Sequence, residues 1–283
     1  MKTPSYIINI PAEDYHAATK RNEYTSSHRL HLFRKCPALY YKHITGAIVE
    51  EDTQAFVIGR ATHTLTLEGR EKFEAEYLVS DGPTNPKTGK PYTSTSQAWK
   101  DWAASQNSEI VPTADFETMR AMADAVRAHE KAQQLLAIGI AEATVRTRWN
   151  GEPIQARLDW FDPVHNRIID LKTCNDLDRF LFDVRDFGYV NQLAFYANAI
   201  DLARADTGED IDQKTPECWL IAVEKREPYR VGVFQIAAAT IDDGNFAPGG
   251  TKYGPGNELM IKELQECRTG KSWPTRYEGF GII

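Results

Sequence analysis

The sequence predicts an α/β protein in which a central mixed β-sheet is flanked by helices, with a helical elaboration on its N-terminal side. Three observations carry this. Before residue 140 apolar residues recur three and four apart, as on one face of a helix. From 142 to 173 the apolar period changes to two. Then "FGYVNQLAFYANAIDLARA" returns to a period of 3.6, and "ECWLIAVEKREPYRVGVFQI" reads as a strand hairpin.

In "YTSSHRLHLFRKCPALYY", Ser26 or Ser27 can cap a helix in which Leu30, Phe33 and Cys36 fall near helical spacing before Pro37. In "TQAFVIGRATHTLTLEG", Ala55, Phe56, Ile58, Gly59, Thr62 and His63 line one face of a second helix that Gly69 ends, which places His63 near its middle. Residues 81–96, "DGPTNPKTGKPYTSTS", are rich in Pro, Gly, Thr and Ser without apolar periodicity and predict a long loop. Helices resume at 96–106 and 113–137; in the second, Phe116, Met119, Met122, Ala123 and Val126 form a core stripe. Strands at 142–149, 153–162 and 167–173 form a meander with "NGEP" and "DPVHNR" as its turns. Gly and Pro crowd 244–256 before a last helix near 257–269.

The 283 residues suit one elaborated domain. Within it, residues 1–140 form the mainly helical elaboration that includes the His63 helix, and 141–283 form the site-bearing sheet and its helices. No run of about 18 apolar residues could span a bilayer. The N-terminus "MKTPSYIINIPAEDYH" lacks the basic and apolar regions of a secretory signal, so a cytoplasmic location is expected, with no membrane partner. Cys36, Cys174, Cys218 and Cys267 form no C-x-x-C pair, which argues against structural zinc and a disulfide scaffold. A net charge of -7 means that a nucleic-acid partner would need a local basic track.

The meander carries the chemistry. Asp170 and Lys172 project from one face of their strand while Leu171 points into the core, and by the same parity Asp159 shares its face with Arg157 and Phe161. Pairing through "DPVHNR" brings Asp159 and Asp170 together at one edge of the sheet. Two carboxylates and an ammonium suit Mg²⁺, which prefers oxygen ligands and is commonly bound by one or two carboxylates plus phosphate oxygens. Such a metal activates water for phosphodiester hydrolysis, and Lys172 could hold that water or help to deprotonate it. Gln192 and Tyr196, four apart on the next helix, share a face and can orient the lysine, the water or a phosphate. A lone D-x-K arises by chance in a chain of this length, and alone would read as a salt bridge at a hairpin end. His63 alone would read as a core histidine, and His28 and His31, with no third ligand nearby, as exposed.

Acid, turn, acid-x-lysine and a helix with Q-x-x-x-Y together resemble the PD-(D/E)XK nuclease superfamily, and within it the RecB-like branch. "ARLDWFDPVHNRIIDLKTCNDLDRF" with "YVNQLAFYANA" is similar to the catalytic core of the RecE-type nuclease domain of exonuclease VIII. "YTSSHRLHLFRKCPALYY", "VIGRATHTLTLEG" and the tail "CRTGKSWPTRY" are similar to its other parts, so the likeness spans most of the chain.

The resemblance implies that His63 joins Asp159 and Asp170 as a metal ligand, that Leu171 offers its backbone carbonyl, and that Asp159, Asp170, Lys172, Gln192 and Tyr196 form the catalytic set. One departure is Leu158 where the family has proline before the first acid; that proline shapes the strand without touching metal. The metal is expected to be Mg²⁺, with Mn²⁺ also supporting activity. No iron–sulfur cluster is expected, since only Cys36 and Cys267 lie in suggestive regions, and no ATP, since "GPTNPKTGK" departs from a P-loop. Arg34, Lys35, Arg60, Arg146, Arg148 and Arg157 are candidate DNA contacts. The implied activity is exonucleolytic, on double-stranded DNA ends, 5′ to 3′, leaving 3′ overhangs for recombination by strand annealing. The implied setting is a phage or prophage, a homo-oligomeric ring and a single-strand annealing protein. An endonuclease of the same fold and a non-catalytic DNA-binding or assembly module are the alternatives.

Overall fold

The computed structural model describes residues 3–49, 53–209, 214–248 and 252–276. Its strands are β1 (Tyr77–Val79), β2 (Glu109–Val111), β3 (Ile140–Trp149), β4 (Glu152–Asp162), β5 (Arg167–Cys174), β6 (Glu217–Glu224) and β7 (Val231–Ile236). Its helices begin with α1 (Ala12–Lys20), α2 (Ser27–Lys35), α3 (Pro37–Ile44), α4 (Gln54–His63), α5 (Arg70–Glu76) and α6 (Gln97–Ala104). They continue with α7 (Thr113–Ala128), α8 (Glu130–Leu136), α9 (Phe180–Asp186), α10 (Tyr189–Thr207), α11 (Ala238–Phe246) and α12 (Asn257–Gly270).

Strands β3 to β7 make one sheet in sequence order, while β1 and β2 form a separate parallel pair. The β3–β4 hairpin turns on Asn150 and Gly151, both at positive φ (49° and 82°), the turn that matches strand twist. β4 and β5 are antiparallel, β5 and β6 parallel, and β6 and β7 antiparallel, so the sheet is mixed as predicted. The parallel step requires a crossover, which α9 and α10 provide.

Both faces of the sheet are covered. On one, Val145, Ala156, Leu158, Ile168 and Leu220 pack with Leu193, Ala194 and Ala197 of α10. α10 is buried on nearly all sides, as its apolar composition demands, with α2 and α11 packed around it. On the other face Ile169, Leu171, Ile221 and Val223 pack with Ala61 of α4 and Met119, Met122 and Val126 of α7. β5 lies in the middle, and its alternating residues serve both cores. No helix among the described residues is long and apolar enough to cross a membrane.

Two predicted helices differ in detail. The helix expected over 113–137 is two, because His129 is extended (φ -79°, ψ 114°) and its Nδ1 accepts the Ala132 N–H as a cap for α8. The helix expected to run to Gly69 leaves α-geometry after His63 and makes one π-turn over Thr64–Glu68. Arg127 donates to the Leu65 carbonyl, and the Gly69 N–H reaches back to Thr64 O instead (3.0 Å). His63 therefore stands at a helix junction, not near a helix middle. The segment 81–96 is a loop holding one isolated bridge, Thr84 to Pro91.

Candidate active site

The site lies where β4 and β5 part. Their ladder comprises Trp160–Ile169, Phe161–Ile168 and Asp162–Arg167 and stops there. One step further the Asp159 carboxylate takes the place of a strand partner, accepting the Leu171 N–H at 2.9 Å. Across the β3–β4 pair, Glu142 stands opposite Asp159 at φ 54° without a ladder bond. This twist shifts the alternation by one residue: Leu158 and Phe161 enter the same core, and Trp160 packs toward the opposite one. Asp159 thus does not share a face with Phe161, contrary to simple parity. The distortion frees its carboxylate from the sheet surface.

His63 meets this carboxylate. Its Nδ1 lies 2.7 Å from Gly59 O and its Nε2 lies 2.6 Å from Leu171 O and 3.1 Å from Asp159 Oδ2. Burial alone would lower the imidazole pKa, but the Asp159 charge and hydrogen bond and the Gly59 carbonyl outweigh it and raise it to about 9. Burial likewise works against ionised Asp159, yet His63, Lys172 and the Leu171 N–H hold its carboxyl below the usual range.

Asp170 and Lys172 sit on the α10 face of β5, with Leu171 buried on the other, as alternation requires. Lys172 Nζ is 2.6 Å from Asp170 Oδ2 and 3.1 Å from Gln192 Oε1. The Gln192 amide donates to Asp170 Oδ1 (3.3 Å) and to Tyr196 OH (2.9 Å), which fixes its orientation. Burial, then the Asp159 charge, raises Asp170 to about 6. Burial opposes the charge on Lys172, but Asp170 and Asp159 prevail and its pKa is raised, so it is an ammonium.

The donor set fits a hard divalent cation in part. Leu171 O and Asp159 Oδ2 lie 2.6 and 3.1 Å from His63 Nε2, close to the spacing of about 3 Å between adjacent ligands of an octahedral cation. Asp170 Oδ2 is buried and, despite its ion pair with Lys172, has no aligned hydrogen bond, so it retains acceptor capacity. Asp170 is turned toward Lys172 and Gln192, and among the described residues no three acidic, cysteine or histidine side chains stand together at ligand spacing. The donors that could hold a metal are His63 Nε2, Asp159 and the Leu171 carbonyl, with the buried Asp170 Oδ2 beside Lys172 as a further acceptor.

The proposed arginine contacts are all engaged within the protein. Arg34 binds Pro255 O and Asn257 Oδ1, Arg60 pairs with Glu109, and Arg148 binds Gly151 O. Arg146 binds Gln155 and lies over the Tyr24 ring. Arg157 is held by Glu142 and Ile10 O. His31, expected to be exposed, is packed against Gly188 with a buried Nδ1 that has no hydrogen bond. Burial, then Lys35 and Arg34, lowers its pKa to about 4, so it is neutral.

Two neighbours of the site escaped the sequence reading. Glu142, pushed up to about 7 by burial and then by Asp159, carries no motif; only the register of β3 puts it there. Tyr189 has Lys172 Nζ 4.6 Å above its ring. Its position was legible, since 189, 192 and 196 recur at three and four on one helix face.

Comparison with known proteins agrees with this fold. A solved structure described as "Putative exonuclease" from Eubacterium rectale superimposes with a TM-score of 0.66 at 14% identity, over 98% of this chain and 96% of that one. No curated protein matches the sequence. A family model described as "PDDEXK-like domain of unknown function (DUF3799)" matches residues 26–281. That match takes in α4, the β3–β7 sheet and α10, and on it the chain belongs to this PDDEXK-like family.

Proposed function

We propose that this protein is a metal-dependent exodeoxyribonuclease that hydrolyses phosphodiester bonds at the ends of double-stranded DNA. The observation that carries the reading is the junction of two clusters at the parting of β4 and β5. One is His63, Asp159 and the Leu171 carbonyl; the other is Asp170, Lys172 and Gln192. Family membership supports phosphodiester hydrolysis, and the name of the Eubacterium rectale protein supports the exonuclease within it.

The residues divide the work. The Gly59 carbonyl fixes the His63 ring so that Nε2 faces the centre. A divalent cation, Mg²⁺ or Mn²⁺, would supply charge neutralisation on the phosphate and lower the pKa of a bound water. Lys172, as an ammonium steered by Asp170 and Gln192, holds a phosphate oxygen or the attacking water; its raised pKa disfavours a role as base. Tyr196, kept protonated by burial, anchors the Gln192 amide. The 5′-to-3′ direction, the 3′ overhang, the ring-shaped assembly, the annealing partner and the phage setting rest on the RecE-type likeness.

The test is release of acid-soluble nucleotides from matched linear and covalently closed duplexes, in Mg²⁺ or EDTA, with wild type and Lys172→Ala. Digestion of the linear form alone, abolished by EDTA and by the substitution, is expected. Cutting of the circle would replace the reading by an endonuclease, and no cutting of either would overturn it in favour of a non-catalytic module.

A further inference from the structure

A second surface adjoins this site. α9 buries Phe180 and Val184, four apart on one face, and presents Leu181 and Phe182 on another, 70% and 53% exposed. Phe187, just after the helix, is 57% exposed. Single exposed apolar residues are ordinary, but here three large ones fall within seven positions.

The patch connects to the catalytic lysine through stacked rings. Lys172 Nζ lies 4.6 Å from the centre of the Tyr189 ring, and Tyr189 stacks on Phe187 at 5.8 Å with 29° between the planes. Gly188 makes this possible: at φ 69° it turns the chain so that the two rings lie side by side. The exposed ring of Phe187 is thus no more than about 10 Å from Nζ, or about three nucleotides at 3.4 Å per stacked base.

Charge narrows the occupant. Between 176 and 187 stand Asp176, Asp178, Asp183 and Asp186 against Arg179 and Arg185. Arg230 pairs with Asp176 and Asp178, and Arg185 with Asp186. Such a rim does not attract a phosphate backbone or an anionic membrane. What it offers is ring faces, with the guanidinium groups of Arg179 and Arg185 5.6 and 5.8 Å from the Phe182 ring.

We infer that Phe187, with Phe182 and Leu181 beside it, is a stacking platform for a nucleobase of the strand being cut. A base inside a duplex has both faces covered, so the base received here is terminal or unpaired. The inference rests on the nuclease reading and adds the form in which the site takes its strand.

The experiment measures equilibrium binding of the full chain, in EDTA so that no strand is cut, to a thymidine oligonucleotide and to an abasic strand of the same length and charge. Wild type is compared with Phe187→Ala and Phe187→Trp. The ring is exposed, so folding does not depend on it; circular dichroism checks this. Expected are tighter binding of the strand with bases, a roughly tenfold loss in Phe187→Ala on that strand only, and recovery in Phe187→Trp. Equal binding of the two strands by wild type, an equal loss on both, or no loss would overturn the platform. A change of sedimentation mass in Phe187→Ala would also overturn it and make the patch a contact between copies. Nucleotide release by wild type in Mg²⁺, followed in parallel, separates the two ideas: its absence sinks the nuclease, whereas release without discrimination between strands sinks the platform alone.

Discussion

His63 and Leu171 are separated by 108 residues, yet the imidazole Nε2 and the carbonyl oxygen meet at 2.6 Å. Two acceptors, this carbonyl and the Asp159 carboxylate, face one ring nitrogen, and a proton on Nε2 reconciles them. A cation would take that proton's place. His63→Gln is therefore expected to weaken Mn²⁺ binding by more than the roughly 10- to 100-fold that loss of a ligand's hydrogen-bond partner costs, read by calorimetry, with nucleotide release falling in parallel. Asp159→Ala and Asp170→Ala are expected to lose Mn²⁺-supported cleavage; unchanged turnover in either would remove that residue from the site.

The amide of Gln192 joins Asp170, Lys172 and Tyr196 through three contacts. Lys172→Met is expected to slow single-turnover hydrolysis by about 100-fold or more, since it removes a charge aimed at the phosphate. Gln192→Leu should cost about tenfold and Tyr196→Phe less, as it breaks one neutral hydrogen bond. If Tyr196→Phe exceeds Lys172→Met, the assignment of roles is wrong.

The raised pKa of His63 sets a pH dependence of stability. Its folded value, about 9, lies above the ordinary 6.5, so the folded protein binds this proton more tightly than the unfolded chain. The stabilisation is complete below pH 6.5 and is lost as pH rises to about 9. In EDTA, the urea midpoint of wild type should fall across that window. His63→Gln should flatten the slope; an identical slope in the variant would show that other groups cause it.

At Gly188 any side chain would meet both backbone strain and crowding. A Cβ there would stand 2.7 Å from His31 Nδ1 at φ 69°, whereas at Gly151, also at positive φ, it would meet nothing within 4 Å. Gly188→Ala is expected to lower Tm by about 2–6 °C, from a left-handed cost of about 1–2 kcal/mol with His31 displaced in addition. Gly151→Ala should fall less; the reverse order would contradict the packing.

The regular parts of this fold were legible because one force dominates each. Alternation and the Asn150–Gly151 turn gave the meander, and the 3.6 period of "FGYVNQLAFYANAIDLARA" gave α10. Asp170, Lys172 and Gln192 meet because strand and helix periods bring them together. What was hidden depends on contacts between distant segments. The π-turn after His63 exists because Arg127 takes the Leu65 carbonyl, and no local propensity records that. The shifted face of Asp159 follows from a twist shared with Glu142, a residue without a motif. The arginines looked available for phosphate because no motif records which neighbours hold them: Glu142 meets Arg157 across the β3–β4 pair, and Arg148 turns back to the Gly151 carbonyl.

The parallel pairing of β5 with β6 also bears on when the candidate site takes shape. β5 is flanked on one side by β4 for three residue pairs only, and on the other by β6 along its whole length, from Arg167–Glu217 to Cys174–Glu224. A chain emerging from the ribosome as far as α10 already contains every residue of the candidate site. Its Asp170 and Lys172 would still sit on a strand with one open edge, unable to hold a fixed geometry. The geometry of the candidate site waits for β6, so it is assembled only once translation has entered the last quarter of the chain, and a product terminated before β6 carries every residue of the site without the strand that holds two of them in place.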